Sequence, residues 1–428
     1  MSALFLVGCE MNTQQPVNRV ASDSVNTAAP ASPMPMESPV STPVVETAGI
    51  TLPVLDALLT DEEFLAAAKS ELQLSDDEIG KLRESARTAV TGLSEENVGD
   101  ETRSTRSAAE EALKQVQTAL GSAKSSRFLA FVNERVAAGA NSTGSNQVPT
   151  DTRVVVNAPA YRMDVFKDGN LVKTYKIGIG YPEFPLPSGL RSAKAIIFNP
   201  TWTPPDEPWV KGKIEAGKKV EAGDKLNPLG PIKIPIGSPS LIHGGKSAAR
   251  LGNFASHGCV GLTNGQVEDF AVTISGLGSK PLTLLDVKGY GKNKTETKQI
   301  ALEQPVPVEL RYETIIVEDG TLKLFRDVYE KGTNTEANLR KVLDGYGVSL
   351  DSLRADLRQK LLDGLKQMSK DATGQTVNAG AANTAANSNK LPMSEKVTSN
   401  VKGKKELSFK IPQLAGKGYP VPKNLKAS

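Results

Sequence analysis

Histidine, cysteine and tryptophan are the scarce residues of this chain, with two of each in 428 residues. Two cysteines allow at most one disulfide, and Cys9 and Cys259 lie in such different surroundings that none is expected. Aromatic residues make up only 5%, and long Ala/Ser/Thr/Asn/Pro stretches without a period mark much of the length as linker. No stretch approaches the roughly 20 consecutive apolar residues of a membrane-spanning helix. A block of like charge is missing too: the net charge is +3, with 51 Lys and Arg spread among 48 Asp and Glu. That excludes the basic stripe of a nucleic-acid binder. What is present is 39% hydrophobic residues, enough for a core in at least one of the two or three domains the length could hold.

The scarce residues are not scattered. Both histidines and Cys259 fall between His243 and Asn264, HGGKSAARLGNFASHGCVGLTN, which reads as a loop-rich active site. Moving an acyl group from one amine to another needs a nucleophile that forms a covalent intermediate and a base that deprotonates it. Cys259 is the candidate thiol, and a neighbouring imidazole or backbone donors would stabilise its thiolate. His243 is placed to lie on an adjacent strand and face the sulfur. His257, two residues before Cys259, would share its side in a strand-like segment and take a binding or electrostatic role. Gly258, lacking a Cβ, would let a substrate carbonyl approach the N–H groups of Gly258 and Cys259 as oxyanion donors. Ser256 could hydrogen-bond within the turn and orient His257, and Asn264 could tie the loop to the start of a helix; both could also be turn residues only. A zinc site of His243, His257 and Cys259 is the alternative, although no fourth Cys or His is available to complete it.

Along the chain, residues 1–50 read as a lipoprotein-like signal followed by a Pro/Ser/Thr-rich linker. Leu6-Val7-Gly8-Cys9 resembles the lipobox in which the cysteine is acylated after signal cleavage. The linker could reach on the order of 100 Å at about 3 Å per residue. Residues 51–140 read as a helical unit: Thr60 to Glu63 and Ser75 to Glu78 have the capping-box form, and further helices are predicted from Ser104 to Leu120 and from Ser125 to Ala137. From 151 the pattern changes to short strands with β-branched residues, a hairpin turn at Asp168-Gly169, and Pro/Gly-rich loops. Strands are predicted at 153–157, 161–166, 171–179, 193–199, 232–236 and 282–287, with one helix between 264 and 274. The stretch from Thr201 to Leu229 holds Trp202 and Trp209; it is a candidate lid, with Trp209 toward the cleft and Trp202 equally suited to anchor its own strand. Beyond a hairpin around Glu318-Asp319-Gly320, residues 334–371 are helical by period and 372–428 are expected to be a mostly disordered tail, with an edge strand possible at Leu407 to Ile411.

Residues 151–290 resemble the L,D-transpeptidase (YkuD-like) catalytic domain. The resemblance is carried by VVVNAPAYRMDVFKDGNLV closing on GIG, by PLPSG, NPTW, Asn227-Pro228-Leu229-Gly230-Pro231, Ile242-His243-Gly244, and Ser256-His257-Gly258-Cys259 with Asn264 beyond. Residues 305–333 resemble a β-hairpin extension found after this domain. The implied fold is α+β and multidomain: a mostly-β sandwich flanked by the N-terminal helical unit and a C-terminal hairpin plus helices. The resemblance implies a peptidoglycan cross-linking enzyme with Cys259 as nucleophile and His243 as base, one imidazole nitrogen being held by a backbone carbonyl, here that of Gly244. Many members carry Arg where this chain has Gly261, so the charge for a substrate carboxylate would come from Arg250 or Lys246. Expected partners are peptidoglycan stem peptides as donor and acceptor, and the membrane through a lipid on Cys9. No metal or organic cofactor is implied, and the expected location is the periplasmic side of a bacterial cell envelope. The alternatives are an L,D-carboxypeptidase using water as acceptor, or a catalytically silent wall-binding protein.

Overall fold

The computed structural model describes residues 50–90, 104–136, 146–202, 219–372, 374 and 400–425. Cys9 and Trp209 lie outside these residues, as does most of the stretch read as a lid. Among the described residues no helix is long and apolar enough to cross a membrane.

The first folded segment is helical: α1 (Leu52–Leu59), α2 (Glu62–Leu72), α3 (Asp76–Val90) and α4 (Thr105–Val136). Its caps explain its boundaries. Ser75 and Glu78 exchange bonds reciprocally, Ser75 N to Glu78 Oε2 at 2.9 Å and Glu78 N to Ser75 Oγ at 3.2 Å, satisfying N–H groups that a helix start leaves unpaired. The box expected to start at Thr60 is shifted by one residue. Asp61 is the cap of α2, accepting from Phe64 N at 3.0 Å, while Thr60 closes α1. Helix α4 changes direction at Gly121, whose φ of 72° and ψ of 165° are non-helical. Leu55, Leu59, Phe128 and Val132 fill the core between the helices, each fully buried side chain contributing about 1.5–3 kcal/mol.

The second segment is built on one curled eight-stranded sheet. Its strands are β1 (Arg153–Asn157), β2 (Arg162–Lys167), β3 (Asn170–Lys176), β5 (Gly189–Phe198), β6 (Ile232–Pro235), β7 (Leu241–His243), β9 (Val260–Gly261) and β10 (Lys298–Arg311). The order is β3-β2-β1-β10-β5-β6-β7-β9. A separate short pair is formed by β4 (Ile179–Gly180) and β8 (Phe254–Ser256). Asp168 and Gly169 take φ of 49° and 76°, the left-handed pair that a tight two-residue hairpin requires. Helix α5 (Asn264–Leu277) starts on a capping box of Thr263 and Gln266 and buries Val267, Phe270, Ala271 and Ile274 against the sheet.

Three expectations are corrected here. Residues 282–287 are not a strand: Thr283 caps a helix, α6 (Leu284–Lys292), through a reciprocal box with Asp286, and that local start signal outweighs the short apolar run. The main sheet continues past 290, and of 305–333 only the part from 315 is the separate hairpin, with β11 (Ile315–Glu318) and β12 (Thr321–Phe325) paired around Asp319-Gly320 as expected. Strand β10 runs from 298 to 311 between β1 and β5, so the domain is completed by residues placed in the extension. Its partner β1 runs parallel to it, a long-range pairing with no local sequence signature. The tail is also partly folded. Strand β13 (Glu406–Lys410) joins β12 (Thr321–Phe325), which pairs with β11 (Ile315–Glu318). Helices α7 (Glu336–Gly345) and α8 (Ala355–Met368) cover this three-stranded sheet through Leu339, Leu343, Leu361 and Leu365.

A buried charge set joins the two sheets. Glu309, fully buried in β10, binds Arg153 at 2.8 Å and Arg311 at 2.9 Å. Arg311 in turn reaches Glu313 and the hydroxyl of Tyr419. The returning C-terminal segment thus supplies a partner for an arginine that burial would otherwise leave costly.

Candidate active site

Strands β7 and β9 pair in parallel, with Ile242 opposite Val260 and His243 opposite Gly261. Cys259 lies in the bend just before β9, where the register sets it against Leu241, whose backbone interacts with the thiol.

His243 is 3% exposed. Its Nδ1 lies 2.7 Å from the Gly244 carbonyl, which fixes the ring and leaves Nε2 for proton exchange. Burial, and then the Lys246 charge, push its pKa down to about 3, against a smaller upward pull from the Gly244 and Leu229 carbonyls. The imidazole is therefore neutral at physiological pH and able to accept a proton. Cys259 is a free, half-buried thiol. Burial raises its pKa, while the Leu241 backbone and the Lys246 charge draw it back. Both groups are thus neutral at rest, the thiol by burial and the imidazole by burial and the Lys246 charge.

The turn that carries the thiol differs from the strand-like segment expected. Residues 257–259 form a bend with Gly258 at a φ of 84°, so strand alternation does not run from His257 to Cys259. The His257 ring packs edge-on against Tyr181, with centroids 5.1 Å apart, and Phe184, at 4.5 Å. Ser256 Oγ donates to the Cys259 carbonyl and accepts from Cys259 N at 3.1 Å. This engages an N–H that had been expected to face an oxyanion and closes the turn on itself. Ser240 Oγ donates to the Gly258 carbonyl at 2.8 Å from the opposite side.

Asn264, first residue of α5, accepts from Gly245 N at 2.7 Å, which holds the segment that fixes His243. The same place explains Gly230. A Cβ there would stand 2.4 Å from Gly245 N and 2.8 Å from Asn264 Oδ1, and its φ is +67°, a conformation that favours glycine. Gly230→Ala is expected to displace Gly244 from His243 and lower turnover at least tenfold with the sheet intact. Kinetics beside circular dichroism would check this, and a wild-type rate would contradict it.

The two cations offered by the sequence part ways. Arg250 is bonded to the Tyr181 hydroxyl at 2.6 Å. The Lys246 side chain crosses Gly261, where a Cβ would meet its Cγ at 2.8 Å, and its charge acts on both His243 and Cys259. Trp202 exchanges backbone bonds with Val220 at 3.0 and 2.7 Å, pinning the base of the stretch read as a lid. A hollow of about 260 Å³ lined by Asn227, Gly230, Gly245 and Asn264 lies behind the catalytic pair, and neither Cys259 nor His243 lines it. Among the described residues no group of three or more His, Cys, Asp or Glu side chains is placed to hold a metal ion.

Sequence reading missed the roles of Tyr181, Phe184 and Ser240. The signal for the first two was the GIG segment: a Cβ on Gly180 would stand 2.0 Å from the Phe184 carbonyl and 3.1 Å from Gly258 Cα, a close approach that needs glycine.

Part of the chain is similar to known proteins. Residues 151–299 match the family model described as the L,D-transpeptidase catalytic domain. A curated Bacillus subtilis (strain 168) protein named "Putative L,D-transpeptidase YqjB" is 26% identical over 172 residues, which is 39% of this chain and 90% of that protein. Among solved structures, the catalytic domain of an Enterococcus faecium L,D-transpeptidase aligns at 18% identity and a TM-score of 0.25, over 39% of this chain and 100% of that one. An L,D-transpeptidase from Mycobacterium smegmatis aligns at 16% identity and a TM-score of 0.24, over 38% and 58%.

Proposed function

With residues 151–299 an L,D-transpeptidase catalytic domain, we propose that this chain cross-links peptidoglycan stem peptides through a thioester on Cys259. The observation that carries the reading is the parallel pairing of β7 with β9, which sets Cys259, just before β9, against Leu241 in the strand that ends on His243, with the His243 ring fixed by Gly244. His243 takes the thiol proton as the sulfur attacks the carbonyl preceding the terminal D-alanine of a tetrapeptide donor. The tetrahedral intermediate collapses, the C–N bond breaks, and the proton passes to the departing amine. An amine of a second stem then attacks the thioester, giving up its proton to His243 and releasing the thiol. Lys246, whose charge reaches the site, supplies a cation for an anionic donor. Incubating the full chain with tetrapeptide muropeptides is expected to yield dimers by mass spectrometry. Tripeptides alone would instead mark water as the acceptor.

The same proposal places the protein on the periplasmic side of a bacterial envelope, held by a lipid on Cys9. It is supported by the Leu6-Val7-Gly8-Cys9 sequence and the Pro/Ser/Thr-rich stretch after it. Fatty-acid labelling that persists in Cys9→Ala would refute the anchor.

A further inference from the structure

We propose that the N-terminal helical unit positions the nucleophile's turn: Thr51 and Thr105 are positioning residues that act on residues 256–259 through the loop at 181–184, which touches the turn as the loop at 237–240 also does. The inference rests on Cys259 being the nucleophile.

Both loops touch the turn directly. In the first, Tyr181 N donates to the Ser256 carbonyl at 2.8 Å, Tyr181 and Phe184 enclose the His257 ring, and Gly180 has no room for a Cβ against Gly258. In the second, Ser240 Oγ holds the Gly258 carbonyl, and Ser240 N closes back on Gly237 O at 3.0 Å.

The first loop is also held from outside by the helices. Thr51 caps α1, accepting from Val54 N, and at the same time donates its hydroxyl proton to the Glu183 carbonyl at 2.6 Å. Thr105, in the first turn of α4, donates to the neighbouring Pro182 carbonyl at 2.8 Å. Two helix N-termini therefore converge on one buried dipeptide, Pro182-Glu183. Ser238, in the other loop, lies near Asp61, the cap of α2, and helps to lower its pKa after the Phe64 backbone. Thr51 and Thr105 are 0% and 2% exposed. A helical unit that served only as a spacer would leave its caps to water. These are instead spent on the carbonyls next to Phe184.

The reach of the coupling follows from packing. The 181–184 loop contributes Tyr181 and Phe184 to the main core, and a close-packed interior transmits displacement because it has few voids to absorb it. Loss of the two hydroxyl bonds frees residues 182 and 183, and with them the wall against which His257 and Gly258 are set. A small misplacement of a nucleophile is enough to cost an order of magnitude or more in rate.

The test compares the full chain with a Thr51→Val/Thr105→Val double variant, which keeps side-chain shape and removes both hydroxyls. The rate of Cys259 acylation by a tetrapeptide donor is expected to fall about tenfold, with KM changed less than twofold. Thr51→Ser/Thr105→Ser is expected to restore it. Amide hydrogen exchange is read in parallel: the double variant should exchange faster at residues 255–260, with β1 and β10 unchanged. That readout does not depend on turnover, so an inactive wild type would sink the proposed reaction without deciding this coupling. Thr51→Asp, which sets an anion against the Glu183 carbonyl, gives a stronger displacement. If its α1 amides exchange freely while residues 255–260 keep wild-type protection, the helices do not position the turn and the inference is overturned.

Discussion

Cys259→Ala is expected to abolish cross-linking, lowering turnover on the order of 10⁴-fold or more while leaving the fold unchanged. The size follows from covalent catalysis. Without the sulfur there is no thioester, and only substrate binding and the remaining backbone dipoles are left to act. The fold is spared because Cys259 is half-buried and its turn is closed by backbone and Ser256 bonds that the substitution keeps. Removing a partly exposed sulfhydryl costs about 1 kcal/mol or less of apolar burial. Dimer yield and thermal unfolding measured on the same preparation separate the two effects. A Cys259→Ala protein that still forms dimers would require a different nucleophile.

The second large effect belongs to His243, and it has two faces. His243→Asn should lower kcat by roughly 10²–10⁴-fold, the usual contribution of a positioned general base. It should also change how stability depends on pH. Burial holds the folded imidazole's pKa near 3, against an ordinary value of 6.5. Below pH 6.5 the unfolded chain binds a proton that the folded chain refuses until about pH 3, so stability is full above that window and is lost as pH falls through it. The contribution at neutral pH is on the order of 5 kcal/mol. Wild type and His243→Asn compared by denaturant unfolding at pH 7 and pH 4 should diverge, with the wild type losing more stability. Parallel losses would show that His243 is not held neutral by the fold.

Much of the site was legible in the sequence because its chemistry depends on rare residues. Two histidines and one cysteine inside a single stretch narrow the candidates before any fold is known, and the order of motifs around them points to one kind of domain. The pairing of β7 with β9 sets His243 opposite Gly261, two residues after Cys259. What sequence could not show was the shape of the turn. Gly258 at positive φ breaks the alternation that would have set His257 beside Cys259, and Ser256 takes up the Cys259 N–H. The contributions of Tyr181, Phe184 and Ser240 were hidden for another reason. Each reaches the turn across a long stretch of chain, and such contacts leave no local period. The same holds for β10, whose parallel pairing with β1 joins residues 154 and 308. Residues 282–287 show the opposite failure: the signal was local, a Thr283–Asp286 box, and the apolar run Leu282 to Val287 masked it.

The central claim is a thioester on Cys259 formed by loss of the donor's last residue. It is tested most directly by mixing the full chain with a tetrapeptide donor and no acceptor amine, quenching in acid, and mapping the adduct by mass spectrometry after proteolysis. The account predicts that the peptide containing Cys259 gains the mass of the tripeptide acyl group, with one equivalent of free D-alanine, and that hydroxylamine removes the gain. Release of D-alanine with an unmodified Cys259 peptide, or an adduct on any other residue, would contradict it.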